Sequence, residues 1–362
     1  MRAKKSILLT VGIVLFAAYF FVAARPIPLE TVLVPRWLSS FEDSRPIVLN
    51  ESQTNTNERV LLPFEMGNRF GYFDWNGNFS INQIRNAHVS LSPDRWAEYD
   101  AEPQSIEIKN TSGVTVSVID NPRGYPFFLD GRTFLVNSEQ NAITGFGAHG
   151  EWTYEFSGPL TCVDGAAGLL LTGSLDGIVG ILDSNGRMIF SFEPGGSRYA
   201  VILGCAISRD GSRVALISGI DSQRFLLLER FGGSDNDYKV VYHEFLEGSF
   251  RRPVHISFVD DDRWVVFERY GGLGLFEVGA RHSNKVELNG EISAIDRAGG
   301  QDLIFAIVSR AMNAKDLVGI RLPGTPVIMS PFKSEEAFLG RSGSRIFVGS
   351  QQALISLDIE KR

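Results

Sequence analysis

Cysteine is scarce in this chain. Its 362 residues include two, Cys162 and Cys205, and neither stands in a C-x-x-C pair or beside a histidine, which argues against a zinc site. The pair reads as two small buried hydrophobes, with a disulfide open to it only outside the cytoplasm. A surplus of positive charge is also missing. Lysine and arginine total 35 against 42 acidic residues, a formal net charge of -7 with no long run of one sign. That excludes a polyelectrolyte tail and argues against a general nucleic-acid binder, which is basic. The five histidines, His88, His149, His243, His255 and His282, are scattered, with no i, i+4 or alternate-residue pair to hold a metal. No G-x-S-x-G, H-E-x-x-H or phosphate-binding loop occurs. After residue 30 no stretch keeps a 3.6-residue apolar period except Ser334–Phe338, which is too short to matter.

The one long uncharged run lies at the start. Residues 7–24 read ILLTVGIVLFAAYFFVAA, preceded by Arg2, Lys4 and Lys5 and ended by Arg25 and Pro26. As a helix these residues span about 27 Å, close to the thickness of a bilayer's hydrocarbon core. The basic residues place the six-residue stub 1–6 in the cytoplasm and the remainder outside, periplasmic if the cell is bacterial. The expectation is a single-pass signal anchor. Val22-Ala23-Ala24 also fits a signal-peptide cleavage site, and either reading exports the rest of the chain. Residues 25–59 are rich in proline and polar groups and read as a stalk. It contains two short β-like runs, Thr31–Val34 and Pro46–Leu49.

What the chain has in plenty is glycine (37) and phenylalanine (26). From residue 60 to 362 an apolar strand, a tight Gly/Asn/Asp turn and a second strand recur. Clear copies are Gly71-Tyr-Phe-Asp-Trp-Asn-Gly-Asn-Phe, Ile106-Glu-Ile-Lys-Asn-Thr-Ser-Gly-Val-Thr-Val and Val179-Gly-Ile-Leu-Asp-Ser-Asn-Gly-Arg-Met-Ile-Phe. Copies start at 71, 106, 143, 179, 225, 273, 317 and 354, spaced 35 to 48 residues apart. Second turns precede several of them, at Ser92-Pro-Asp, Val163-Asp-Gly, Arg209-Asp-Gly and Val259-Asp-Asp-Asp. Two hairpins per roughly 40 residues make one four-stranded propeller blade. The Asn-Gly and Asp-Gly pairs suit primed turns, whose central residues have positive φ. The fold class expected is all-β, a single propeller of eight four-stranded blades, or seven if the first and last units merge. The last unit stops at its third strand, Ala353-Leu-Ile-Ser-Leu-Asp. Thr31–Val34 or Pro46–Leu49 is therefore expected to complete that blade and remove the free sheet edge.

Gly173-Ser-Leu-Asp-Gly-Ile-Val-Gly-Ile-Leu-Asp-Ser-Asn-Gly-Arg-Met-Ile-Phe-Ser-Phe resembles the repeat of the PQQ-like propellers. Ile207-Ser-Arg-Asp-Gly-Ser-Arg-Val-Ala-Leu-Ile-Ser resembles the hairpin of WD-repeat-like and TolB-like propellers. The resemblance implies seven or eight blades and, in an exported protein, a protein-interaction scaffold. The periplasmic scaffold of the outer-membrane assembly machinery is one member of that class. Trp152 fits the tryptophan that recurs in PQQ-like repeats, but Phe79, Phe190 and Phe192 stand at similar places and no adjacent cysteines occur. No cofactor, quinone included, is expected.

Asp260-Asp261-Asp262 lacks the spacing of a calcium loop and reads as a solvated turn. In a propeller, turns between first and second and between third and fourth strands share one face, and the other face carries the remaining turns and the blade crossings. Assigning the Asn-Gly and Asp-Gly turns to the first face leaves the second with Arg123 and Tyr125, Arg198 and Tyr199, Phe250, Arg251 and Arg252, and Arg269 and Tyr270. Arginine beside an aromatic anchors interfaces through bidentate and stacking contacts. The expected partner of this face is a protein or extended peptide, acidic or presenting its backbone. The reading is thus a non-catalytic scaffold. A propeller enzyme with its site in the central channel (a lyase or hydrolase, or a degenerate quinoprotein), or a sensor signalling through the anchor, is the alternative.

Overall fold

The computed structural model describes residues 30–43, 45–50, 60–147, 150–232 and 237–362, together with Gly12, Ile13, Phe16 and Tyr19, which are helical. Most of the expected membrane segment, the spacer 51–59 and His149 lie outside the described residues. Among the described residues no helix is long and apolar enough to cross a membrane. The chain divides into a large unit, residues 33–359, and a small one of residues up to 32 with 360–362. In the small unit Glu30 and Arg362 exchange two backbone hydrogen bonds, of 2.7 and 2.9 Å.

The large unit is all-β and is built of eight antiparallel sheets. Blades 2 to 7, residues 88–120, 125–155, 160–192, 202–245, 256–287 and 291–333, each have four strands in sequence order. The hairpins beginning at 106, 143, 179, 225, 273 and 317 are the third and fourth strands of these six blades. Ser334–Phe338 is a bend leading into a strand. Blade 8 holds Phe338–Ser342, Arg345–Gly349 and Ala353–Lys361, then Thr31–Ser40 as the fourth strand and Ile47–Val48 as a fifth. Both candidate strands therefore join the last blade. The closing pair is fixed by charge: Asp358 accepts from Arg36 Nε at 2.6 Å and from Arg345 Nε at 2.5 Å.

Blade 1 shows fewer strands than the others among the described residues. Three are described, Leu62–Met66, Arg69–Phe73 and Phe79–Ile84. Antiparallel strands alternate in direction, and the chain leaves Phe79–Ile84 for blade 2 as every outer strand leaves its blade. Counting back, Leu62–Met66 runs as a second strand, so the innermost strand is the one missing among the described residues. Side-chain docking agrees. Trp152, on the fourth strand of blade 3, donates to Ser184 O in the third-to-fourth turn of blade 4 at 3.1 Å. Trp37, on the fourth strand of blade 8, donates in the same way to Trp75 O of blade 1 at 2.9 Å. In both places a glycine, Gly186 or Gly77, leaves room for the indole: a Cβ would come within 2.3 or 2.7 Å of it.

The third-to-fourth turns of blades 1, 2 and 4 share one device that differs from the primed turn expected. Asp74, Asn110 and Asp183 each accept two backbone N–H groups, from the residues two and four places on, at 2.9 to 3.0 Å. Only the glycine that follows, Gly77, Gly113 or Gly186, has positive φ, and a bulge adjoins each turn. This is a type I turn closed by a glycine bulge, in which Asn76, Ser112 and Asn185 keep ordinary φ. Turns with positive φ at both central residues occur at Asp130-Gly131 and Ala167-Gly168. Val163-Asp-Gly is not a turn but lies inside the strand Leu160–Ala166.

Packing between blades is apolar and aromatic. Phe225 of blade 5 and Phe267 of blade 6 stack at 4.5 Å with their planes 5° apart. Trp37, Phe41, Phe64, Phe73 and Phe347 fill the boundary of blades 8 and 1. Burying each such side chain contributes roughly 1.5–3 kcal/mol.

Candidate functional site

Strand direction places all nine singled-out residues at the second face, with Tyr125 and Arg269 at strand ends and the other seven in loops and turns. Arg123 lies in the crossing from blade 2 to blade 3, and Tyr125 opens the strand Tyr125–Leu129. Arg198 and Tyr199 lie in the crossing from blade 4 to 5, and Phe250, Arg251 and Arg252 in that from blade 5 to 6. Arg269 and Tyr270 form the turn between the second and third strands of blade 6. One Asp-Gly pair departs from the face assignment: Asp176-Gly177 joins the second and third strands of blade 4 and so belongs to the second face.

Four of the nine converge. Phe250, Arg252, Arg269 and Tyr270 line a cavity of 450 Å³ with Glu268, Leu288, Asn289 and Glu291. Its floor is Glu268, 2% exposed. Arg252 grips this carboxylate with both terminal nitrogens, at 2.6 and 3.1 Å, and also reaches Glu291 at 3.0 Å. The same guanidinium lies 4.7 Å from the Phe250 ring centroid. Arg252 is held more firmly protonated than usual, first by the hydrogen bond to Glu268. Tyr270 stands above, 62% exposed, its ring centroid 6.4 Å from that of Phe250. Gly248 seats it, since a Cβ there would lie 2.7 Å from that of Tyr270. Arg269 Nε is buried and has no hydrogen-bond partner among the described residues. His255 is open to solvent yet ringed by protein. Burial first, and then Arg297 and Arg252, lower its pKa against the opposing pull of Glu268.

The other residues form separate groups. Tyr125 stacks on Tyr99 at 5.8 Å, Tyr99 stacks on His88 at 5.8 Å, and Tyr125 donates to Ala101 O at 2.9 Å. Arg198 pairs with Asp221 at 3.5 Å, and Tyr199 beside it is exposed. Arg123 and Arg251 are exposed. Sequence reasoning missed the acids. Glu268 directly precedes Arg269 in the sequence, Asp221 comes from a neighbouring turn, and Glu291 opens the strand Glu291–Ile295 of the next blade. With them, the Arg252 and Arg198 sites are ion-paired rather than plainly basic.

Asp260-Asp261-Asp262 is a turn, as expected, but all three residues have positive φ and only part of it is solvated. Asp260 is 9% exposed and binds Arg263, while Arg209 donates to Asp261 at 2.5 Å and, through its backbone, to Asp262 at 2.9 Å. These carboxylates are spoken for by arginines. Among the described residues no three His, Cys, Asp or Glu side chains cluster closely enough to hold a metal.

A family model described as a beta-propeller protein matches residues 1–362. The chain belongs to that β-propeller family. An uncharacterized protein of Treponema pallidum (strain Nichols) is 26% identical over 99% of this chain and 95% of its own length. Among solved structures, BamB from Moraxella catarrhalis covers 90% of this chain and all of its own at 10% identity, with a TM-score of 0.57. The computationally designed Ika8 protein covers 83% of this chain and 96% of its own at 12% identity, with a TM-score of 0.54. At such identities these structures speak for the propeller fold and for no activity.

Proposed function

We propose that this propeller is a non-catalytic protein-interaction scaffold, tethered to a membrane by residues 7–24 with the blades outside the cytoplasm. The apolar run and its basic flank support the tether. The observation that carries the scaffold reading is the 450 Å³ cavity on the second face, where an exposed Tyr270, the Phe250 ring and a clamped Arg252 stand together. Aromatic side chains and arginine held rigid beside a concavity are the usual anchors of a protein interface. Because Arg252 is already matched by Glu268 and Glu291, this site suits a segment presenting backbone amides and carbonyls better than an acidic one.

Tyr270, Arg269 and Arg251 are the residues to probe, since removing Arg252 strands a buried carboxylate. A photo-crosslinking residue at position 270, in native membranes, is expected to capture one defined protein. The same residue at Arg187, on the opposite face, is expected not to. The triple variant Arg251→Ala, Arg269→Ala, Tyr270→Ala should lose that complex and keep its melting temperature. Equal capture from both faces would overturn the reading. Alkaline carbonate extraction of membranes tests the tether: release of the full-length chain into the soluble fraction would refute it.

A further inference from the structure

The two cysteines, 43 positions apart in sequence, meet at one blade boundary. Cys162 lies on the innermost strand of blade 4, Leu160–Ala166, and Cys205 on the innermost strand of blade 5, Ile202–Ile207. These strands are tied on either side of the pair. Thr161 Oγ1 donates to Ile202 O, and Ile207 N–H donates to Asp164 Oδ2 at 2.9 Å. Cys205 is 6% exposed in a cluster with Leu171, Ile202 and Leu216, and Cys162 packs against that cluster. Gly173, opposite Cys162, makes the room: a Cβ there would stand 2.7 Å from the Cys162 sulfur and 2.5 Å from Ile202 Cγ2. Burial raises the Cys205 thiol pKa, and the neighbouring Cys162 thiol raises it further. Cys162 is only half-buried and lines a second cavity, of 420 Å³, with Phe127, Leu160 and Val163.

We propose that Cys162 and Cys205 are an oxidative modification site, converted by a small-molecule disulfide into an intramolecular bond that staples blade 4 to blade 5. The cavity makes Cys162 the entry point. Its thiolate attacks one sulfur of the small disulfide, forming a mixed disulfide and releasing one thiolate. Cys205, after losing its proton to solvent, attacks the Cys162 sulfur and releases the second thiolate. Two protein thiols are oxidised and one small disulfide is reduced to two thiols. The raised pKa of Cys205 makes the second step the slow one and accelerates it as pH rises.

The test uses the purified full-length chain in detergent with oxidised glutathione at mildly alkaline pH, followed by acid quench, alkylation in denaturant and mass spectrometry. The expected product has lost two hydrogen atoms, takes up no alkylating agent and yields one peptide pair linking positions 162 and 205. Cys205→Ser should stop at a glutathione adduct on Cys162, and Cys162→Ser should leave Cys205 unmodified. The oxidised chain should melt at a higher temperature than the reduced one and revert with reductant. Two alkylatable thiols remaining in the folded chain, where the same chain in urea oxidises fully, would overturn the proposal. So would a glutathione adduct that persists on the unaltered chain, or a bond formed only between chains.

Discussion

The boundary of blades 7 and 8 contains an ion pair with almost no access to water. Side-chain exposures are 0% for Arg341 and 1% for Asp296. Arg341 Nη1 donates to Asp296 Oδ2 and Leu303 O, both at 2.8 Å, Nη2 to Gly300 O at 2.7 Å, and Nε to Gly343 O at 3.0 Å. Asp296 Oδ1 accepts from Ala298 N at 2.9 Å and Gly299 N at 3.1 Å. Each charge is therefore compensated by the other and by peptide groups. Asp296→Ala leaves a guanidinium with three carbonyls and no counter-charge, and the expected cost is about 3–5 kcal/mol. Arg341→Met leaves a carboxylate still bound by two N–H groups, and is expected near the lower end of that range. The double variant removes both charges and should cost no more than the worse single one, giving a coupling energy of about 3 kcal/mol. Equilibrium denaturation by urea, with the m-value checked for constancy across the four proteins, measures all three terms. Single variants within about 1 kcal/mol of the parent, or a double variant equal to the sum of the singles, would refute the reasoning.

Trp37→Ala should cost about 3–5 kcal/mol, because it empties the aromatic boundary of blades 8 and 1; trypsin sensitivity of the closing strand reports the opening. Gly186→Ala places a Cβ 2.3 Å from Trp152 at a φ of +78°, and about 1–3 kcal/mol is expected from the backbone alone, read as a drop in melting temperature. Acidification should weaken the closing seam. Burial raises the Asp358 pKa, but hydrogen bonds and charges of Arg345 and Arg36 outweigh it, so the folded value falls below the usual 3.8. The unfolded chain then binds more protons, and the contribution is complete above pH 3.8 and lost as pH falls through the folded value. Asp358→Asn should be less stable than the parent at neutral pH and should show a shallower acid transition by fluorescence.

The repeat was legible because each hairpin is local: an apolar run, an Asx residue and a glycine lie within a dozen positions. Closure could be inferred because the last unit lacked a strand and an earlier segment could provide one. The face carrying Arg198, Phe250 and Tyr270 followed from strand parity alone. Contacts between blades were not legible. Asp296 and Arg341 are 45 residues apart, and nothing local in either sequence points to the other. Trp37 belongs to the same docking device as Trp152, but it precedes the first blade in sequence, and nothing local shows that its strand sits on the last one. That blade 1 shows three strands among the described residues was hidden because its hairpin at Gly71 looks like all the others. Turn type was misjudged because Asn-Gly fits two geometries, and the bulge that selects one depends on the pairing strand.

The ring closure also sets an order of events. Arg36 and Asp358 are 322 residues apart. At translation rates of 5–20 residues per second, the strand Thr31–Ser40 waits about 16 to 64 s for the strand it will pair with. Closing the ring straight from the unfolded chain would cost on the order of 5 kcal/mol in chain entropy, (3/2)RT ln n for a flexible loop of that length, a cost avoided once the blades between have folded. The seam is therefore expected to form after the blades between and to open before them. Substitutions there should change the rate of opening far more than the rate at which the middle blades assemble.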